Sequence, residues 1–289
     1  MKEPLVGCVI VNWNGWRDTL TCLDALRSTD YPELLVVVVD NGSTDDSVER
    51  IRAAHPEIRL LETGRNLGFA GGNNAGIREL LLRGVEYVWL LNNDTQPSSG
   101  AIRELVEMAE TDFKLGAVGS ILYHTSSPET VQAWGGGRIN LWTGYSSHAT
   151  TRSGRLDFLT AASMLVRRKA LEDVGLMDDR FFLYWEDAEL CFRLRRKGWQ
   201  LGVAHRAVVL HNVNASASKN SALIDRYYTY SAIRFLSQYA HLPPLALFLF
   251  LSRRLLHRAL SGKVEAIGDV WHGVRDYQNR DRWATLPQI

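Results

Sequence analysis

Leu34-Leu35-Val36-Val37-Val38-Val39-Asp40-Asn41-Gly42-Ser43-Thr44-Asp45 is the stretch that decides the fold. An unbroken apolar run stops at a carboxylate and a turn, with none of the alternation of a strand wetted on one face. A strand of this kind is covered on both faces, as in a parallel sheet sandwiched between helices. Working outward, similar runs occur at Val6–Trp13, Ile58–Leu61 and Tyr87–Asn92. Helical patterns lie between and after them, near Trp16–Ser28, Ser47–Ala54, Gly72–Arg83 and Ser99–Glu110. Strands alternating with helices predict right-handed βαβ units and a mostly parallel sheet flanked by helices, an α/β fold. A further strand is expected at Gly116–Leu122.

Beyond it, residues 123–157 break into Gly, Ser and Thr around Trp134 and Trp142, which predicts a long hairpin or loop laid over the domain. Regular structure is expected again at Phe158–Arg167, in a helix over Asp187–Lys197, in short strands at Trp199–Val203 and Ala207–Leu210, and in helices from Ala222 onward. The chain of 289 residues has room for one large domain with an appendage. We divide it into 1–220, with a nucleotide-binding half to about 120 and an acceptor-binding half to 220, and a C-terminal helical region, 221–289.

A formal charge of +1 gives no bulk attraction to nucleic acid. Cys8, Cys22 and Cys191 are odd in number and far apart, and read as buried thiols of a reducing compartment. The N-terminus lacks the layout of a signal peptide, and no apolar run reaches the length of a membrane span. The expected location is cytoplasmic.

Polar residues collect where the predicted strands end, the edge at which open α/β sheets bind ligands. Asn12-Trp13-Asn14-Gly15 ends the first strand, and Asp40 to Asp45 the second. Arg65-Asn66-Leu67-Gly68 and Gly71-Gly72-Asn73-Asn74 follow the third, and Asn92-Asn93-Asp94 ends the fourth. Singly, each is also a turn or a cap, and Asp45 reads as a helix N-cap. Together they suggest a ligand. Asp40 is suited to accept from a base N–H of uracil or thymine. The glycines at 68, 71 and 72 would let backbone approach a phosphate near a helix N-terminus. Arg65 is suited to pair with phosphate. Asp94 is a hard oxygen ligand for Mg²⁺ or Mn²⁺ beside a diphosphate.

The order Val11-Asn12-Trp13-Asn14-Gly15, Val37–Ser47, Gly64–Gly76 and Leu90–Thr95 resembles the nucleotide-binding half of a family 2 glycosyltransferase with the GT-A fold, on the rhamnosyltransferase-like branch. The resemblance covers roughly residues 5–215. It implies a nucleotide-sugar donor contacted by Asn12, Trp13, Asn14, Asp40, Gly42, Arg65, Asn66, Gly71, Asn74, Asn93 and Asp94. Asp94 matches the last aspartate of the family's DxD metal motif, whose first carboxylate is here Asn92. Another protein ligand is then needed, and the resemblance points to His211, with Ser216 five positions on and His205 as a lesser rival.

Asp187, Leu190, Cys191 and Leu194 share one helical face. Asp187 therefore sits at a helix N-terminus and faces the domain, where complementing the helix dipole is the plainer reading. The resemblance makes it the catalytic base. Trp134, Ala161, Ala162, Trp185 and Glu186 are the candidate acceptor contacts, although buried core tryptophans fit as well.

Pro243-Pro244 should start a new helix. In it Arg253, Arg254, His257 and Arg258 fall on one arc, and Ser252, Leu255, Leu256, Ala259 and Leu260 on the other. That pattern suits either an interfacial helix on an anionic leaflet or a helix packed on the domain or in a homo-oligomer. The expectation is an inverting, metal-dependent sugar transferase using a dTDP- or UDP-sugar, such as dTDP-rhamnose. Its acceptor would be a glycan or a polyprenyl-linked intermediate of cell-wall or polysaccharide synthesis, met from the inner face of the membrane. The alternative is a nucleotide-sugar-binding protein without catalysis, which needs neither Asp94 nor Asp187. A dinucleotide-binding dehydrogenase is rejected, because Asn-Trp-Asn-Gly stands where GxGxxG would be.

Overall fold

The computed structural model describes residues 3–152, 154–212, 221–262 and 265–279. The chain runs β1 (Val6–Asn12), α1 (Trp16–Arg27), β2 (Leu34–Asp40), α2 (Ser47–Ala54), β3 (Arg59–Glu62), α3 (Gly68–Leu82) and β4 (Tyr87–Asn92). Next come β5 (Thr95–Pro97), α4 (Ala101–Glu110), β6 (Leu115–His124), β7 (Ser127–Trp134), β8 (Gly136–Asn140) and β9 (Tyr145–His148). The remainder is β10 (Phe158–Leu159), β11 (Ser163–Arg167), α5 (Arg168–Val174), α6 (Glu186–Arg196), β12 (Gln200–His211), α7 (Ser221–Tyr239), α8 (Pro243–Leu260) and α9 (Glu265–Gln278).

The main sheet has the order β3-β2-β1-β4-β11-β6-β12-β5, with β7 on β6. Its first half, β3-β2-β1-β4, is parallel, in register Asn12↔Asp40 and Val11↔Asn92. β11 enters antiparallel between β4 and β6, and β12 is parallel to β6. Both faces are covered, as the unalternating run at 34–40 requires. Val9, Val37, Val39, Val88 and Leu90 pack on one side with Ile77 and Leu80 of α3. Cys8, Ile10, Val38, Trp89 and Leu91 pack on the other with Cys22, Leu23, Ile51 and Leu105 from α1, α2 and α4. The three cysteines are free and buried.

Differences from the sequence reading have local causes. Residues 123–152 and 154–157 carry β7, β8 and β9, with β10-β8-β9 a small separate sheet. These short polar strands carry too little apolar alternation to announce themselves. The two short strands expected after Trp199 are one strand, β12, with a register shift between Val203 and Val208. Helix α3 starts at Gly68, four residues before the expected start.

The C-terminal helices share the main core. Phe235, Leu236, Tyr239 and Phe250 belong to the same cluster as Leu190 and Leu194 of α6. The arcs of α8 are oriented by a charge: Arg254 and Arg258 turn inward, each pairing with the buried Asp225 of α7. Leu245, Phe248, Leu256 and Leu260 are left exposed. Among the described residues no helix is long and apolar enough to cross a membrane.

Candidate active site

The C-terminal ends of β1, β2 and β4 meet in one polar network. The Asp40 carboxylate is buried; its Oδ1 accepts from Asn12 Nδ2 (2.9 Å) and Ser43 Oγ (2.6 Å), and its Oδ2 from the Ser43 N–H (3.0 Å). Asn12 Oδ1 in turn accepts from Thr19 Oγ1 (2.8 Å), to which Asn93 Nδ2 also donates (3.1 Å). Asn14 Oδ1 accepts the Thr44 N–H (2.8 Å). A carboxylate has about four lone-pair sites, so Asp40 retains acceptor capacity after these bonds. The half-buried Trp13 and the exposed Arg65 lie beside this network in the chain.

Several expected donor contacts have other tasks. Asn12 is fully buried and orients Asp40, so it acts behind the surface and not on it. Asn74 is buried and spent on Met177, donating to its carbonyl (2.8 Å) and accepting its N–H (3.1 Å), which ties α3 to the segment leading to α6. Asn66 Oδ1 accepts from Asn41 Nδ2 and from the Gly68 N–H, closing its own turn. Gly42 has φ +76° and a side chain there would meet the Arg65 backbone at 2.4 Å. Its glycine is demanded by the fold. The loop glycines likewise serve protein packing: a Cβ on Gly68 (φ +74°) would meet the Phe182 carbonyl at 2.4 Å, on Gly71 Leu67 at 2.7 Å, and on Gly72 Val11 at 2.9 Å. Because α3 begins at Gly68, Gly71 lies inside the helix. Each of these glycines thus has a packing reason of its own.

At the end of β4, β5 pairs antiparallel with β12 in the register His211↔Thr95. That register brings His211 beside Asp94, with Nε2 3.2 Å from Oδ1. Gln132 Oε1 on β7 lies 3.0 Å from His211 Nδ1, and Asn92 Nδ2 lies 3.5 Å from Nε2. Gln132 and Thr19 were missed in the sequence; nothing in their local pattern marks them. Asp94 is nearly buried, and among the described residues no group of three His, Cys, Asp or Glu converges. The pair still fits a divalent cation. Neighbouring octahedral ligands at ~2.1 Å from an ion stand about 3.0 Å apart, close to the spacing seen. Water and phosphate oxygens would fill the other positions. Ser216 lies outside the described residues. His205 is instead held by Trp134, whose Nε1 donates to its Nδ1 at 3.1 Å.

Asp187 occupies the first turn of α6. Its Oδ2 accepts the Ala161 N–H (3.2 Å) and its Oδ1 the Ala188 N–H (2.7 Å). The Ala162 carbonyl accepts the Asn92 N–H (3.0 Å), so two hydrogen bonds through one turn link Asp187 to the strand that presents Asp94. Burial raises the Asp187 pKa, against the pull of the Ala161 and Ala188 N–H groups and of His148. His148 was also missed; it sits on β9 with its ring edge against Phe158, 5.5 Å between centroids. Its ring reaches solvent, but the protein crowded around it lowers its pKa; Asp187 opposes that shift and His211 reinforces it. His148 therefore interacts with residues from both halves of the site.

The chain enters α6 through two residues in the left-handed region, Tyr184 (φ 68°) and Trp185 (φ 69°). Bulky residues there are strained, a cost of order 1–3 kcal/mol each that surrounding structure must hold. Trp185 is buried against Phe235 (5.0 Å) and Tyr228 (5.8 Å), so it anchors the helix and has no face for a sugar. Glu186 is buried with Oε2 lacking a hydrogen-bond partner, and burial first, then Asp187, raises its pKa well above the usual range. The side chains of Ala161 and Ala162 are buried; Ala161 contributes its backbone N–H to Asp187. Trp134 lines a different cavity, at the other end of α6. Both tryptophans are thus engaged with protein, Trp134 with His205 and Trp185 with Phe235 and Tyr228.

Residues 8–175 match the family model described as glycosyl transferase family 2. The chain is 31% identical over 220 residues to the N-acetylglucosaminyl-diphospho-decaprenol L-rhamnosyltransferase of Mycobacterium tuberculosis, covering 68% of this chain and 71% of that protein. It is 29% identical over 212 residues to the galactofuranosyltransferase GlfT1 of the same organism, covering 71% of this chain and 69% of that one. Among solved structures, the mannosyltransferase PcManGT of Pyrobaculum calidifontis, in complex with GDP-Man and Mn²⁺, superposes with a TM-score of 0.60 at 17% identity. That match covers 100% of this chain and 77% of the other, and it supports the GT-A fold. With the parallel half-sheet, the ordered motifs along its edge and these similarities in agreement, the chain belongs to glycosyl transferase family 2 and is a glycosyltransferase of the rhamnosyltransferase-like kind.

Proposed function

We propose that this glycosyltransferase is inverting and dependent on Mg²⁺ or Mn²⁺, and moves a sugar from a UDP- or dTDP-sugar, dTDP-rhamnose first among them, to a hydroxyl of a polyprenyl-linked glycan acceptor of the cell wall. The observation that carries the reading is the juxtaposition of Asp94 and His211 at the end of β4, with Asp187 suspended from the adjoining 161–162 turn. Asp40 would accept from the base, within the Asn12, Asn14, Ser43 and Asn93 network. Asp94 and His211 would hold the ion, which supplies charge compensation to the departing diphosphate. Asp187 would take the proton of the acceptor hydroxyl, its raised pKa bringing it nearer to operating pH. Attack opposite the leaving group inverts the anomeric centre. Similarity to the M. tuberculosis N-acetylglucosaminyl-diphospho-decaprenol L-rhamnosyltransferase supports the acceptor class, and similarity to the Mn²⁺-bound mannosyltransferase supports the metal.

The exposed apolar face of α8 would rest on the bilayer that carries the acceptor. A thermal-shift screen of UDP-, dTDP- and GDP-sugars with and without Mn²⁺ tests the donor assignment. The reading expects stabilisation by a uracil or thymine nucleotide that requires the ion and is lost in Asp94→Ala. Stabilisation by GDP-sugars alone, or without any need for metal, would overturn it.

A further inference from the structure

A cavity of about 870 Å³ opens at the far end of α6, bounded by β7, the 154–157 segment and the start of β12. None of Asp40, Asp94, Asp187 or His211 lines it. Its wall carries Arg152, Arg155, Arg195 and Arg196 against a single carboxylate, Asp157. That carboxylate is already engaged: Oδ1 lies 3.1 Å from Arg195 Nη1, and Oδ2 accepts the Ile139 N–H at 3.0 Å. Among the described residues Arg152, Arg155 and Arg196 pair with no carboxylate, so the wall keeps an unbalanced positive charge. Arg196 is fixed over the ring of Tyr239, 4.3 Å from its centroid. The segment is pinned where Arg138 Nε donates to the Arg155 carbonyl (3.1 Å). Half-buried Trp134 and Trp199 lie in the same wall. The indole of Trp134 donates to His205 Nδ1, which leaves Nε2–H as the ring's donor, and burial, then Arg152, lowers the pKa of that imidazole.

Unpaired guanidiniums fit phosphate or carboxylate, and indole faces fit the apolar face of a sugar ring. We propose that this cavity binds an anionic saccharide, a sugar bearing phosphate or carboxylate, at a site separate from the catalytic one. On α6 the helical rise puts Arg196 about 13 Å from Asp187. The inference stands apart from the donor and metal assignments above.

The test uses the full chain with saturating UDP and Mn²⁺, so that anions are excluded from the donor site. Tryptophan fluorescence is followed on titration with glucose 1-phosphate, glucuronic acid, glucose or inorganic phosphate. One of the two anionic sugars should bind saturably and at least ten-fold more tightly than glucose or phosphate, and the tighter one identifies the charge preferred. Arg152→Gln with Arg196→Gln should weaken it at least ten-fold with an unchanged melting temperature, since both side chains are exposed. If the double variant binds as the parent does, or phosphate alone binds as tightly as the sugar phosphate, or no titration saturates, the proposal is wrong. If UDP fails to bind at all, the donor assignment fails, while the dependence on the two arginines still decides this one.

Discussion

His211 Nε2 stands 3.2 Å from Asp94 Oδ1, and the Gln132 amide oxygen faces the other ring nitrogen. With Gln132 accepting the Nδ1 proton, a neutral imidazole turns the lone pair of Nε2 toward the carboxylate. Two acceptors in contact repel unless a proton or a metal cation lies between them. The β5–β12 register therefore prepares a place for positive charge at the sheet edge.

Removing either side of that pair should remove the cation. Mn²⁺ binding in the presence of UDP, followed by electron paramagnetic resonance, should be lost in Asp94→Ala and strongly weakened in His211→Ala. Gln132→Leu should weaken it by about 10- to 100-fold, the usual effect of releasing a ligand's hydrogen-bond partner. Parent-like Mn²⁺ affinity in all three would remove these residues from a metal site.

Asp187→Asn keeps the size of the side chain and one acceptor oxygen for the Ala161 or the Ala188 N–H, but it cannot take up a proton. Turnover should fall by roughly 10²–10⁴-fold, with the donor KM little changed. In the parent, kcat should rise with pH through the elevated Asp187 pKa. A variant with near-normal turnover would show that the base lies elsewhere.

Glu186 gives a prediction about stability. Its pKa is raised on folding, so the folded state holds the proton more tightly than the unfolded one. Stability associated with this group is present below the unfolded glutamate pKa and is lost as pH rises toward the folded value. Glu186→Gln should therefore raise the melting temperature at neutral pH and flatten its decline above the ordinary carboxylate range. An unchanged pH profile would mean that Glu186 is not the buried acid described.

How much of this could be read in advance differs by element. The run at 34–40 announced its covered faces because the valines of both sides are buried, and strands β2 and β4 fall where the pattern puts them. Asp94 and Asp187 were legible as carboxylates at element ends. The roles of Asn74, Gly71 and Trp185 were not, because each depends on a partner distant in sequence: Asn74 on Met177, Gly71 on a helix that starts early, and Trp185 on Phe235. Thr19, Gln132 and His148 enter the site through pairings across strands or between helix and sheet, which leave no local periodicity. On α8 the amphipathic pattern was visible, but its direction was set by Asp225 of another helix.

That direction changes how membrane contact should be tested. Deleting residues 242–289 would strip Phe250 from the core and leave Asp225 without Arg254 and Arg258, a loss of roughly 3–5 kcal/mol from the charge alone; such a variant should unfold. Phe248→Ser with Leu256→Ser alters only the outward face, where both side chains are exposed, and should leave the melting temperature nearly unchanged. If α8 rests on the bilayer, this double variant should co-sediment less with phosphatidylglycerol vesicles than the parent, by about thirty-fold for some 2 kcal/mol of lost apolar burial. Equal sedimentation, or a parent that does not sediment, would assign the leucine face to a protein contact, and a change of oligomeric state in the same variant would identify a second copy of the chain as that partner.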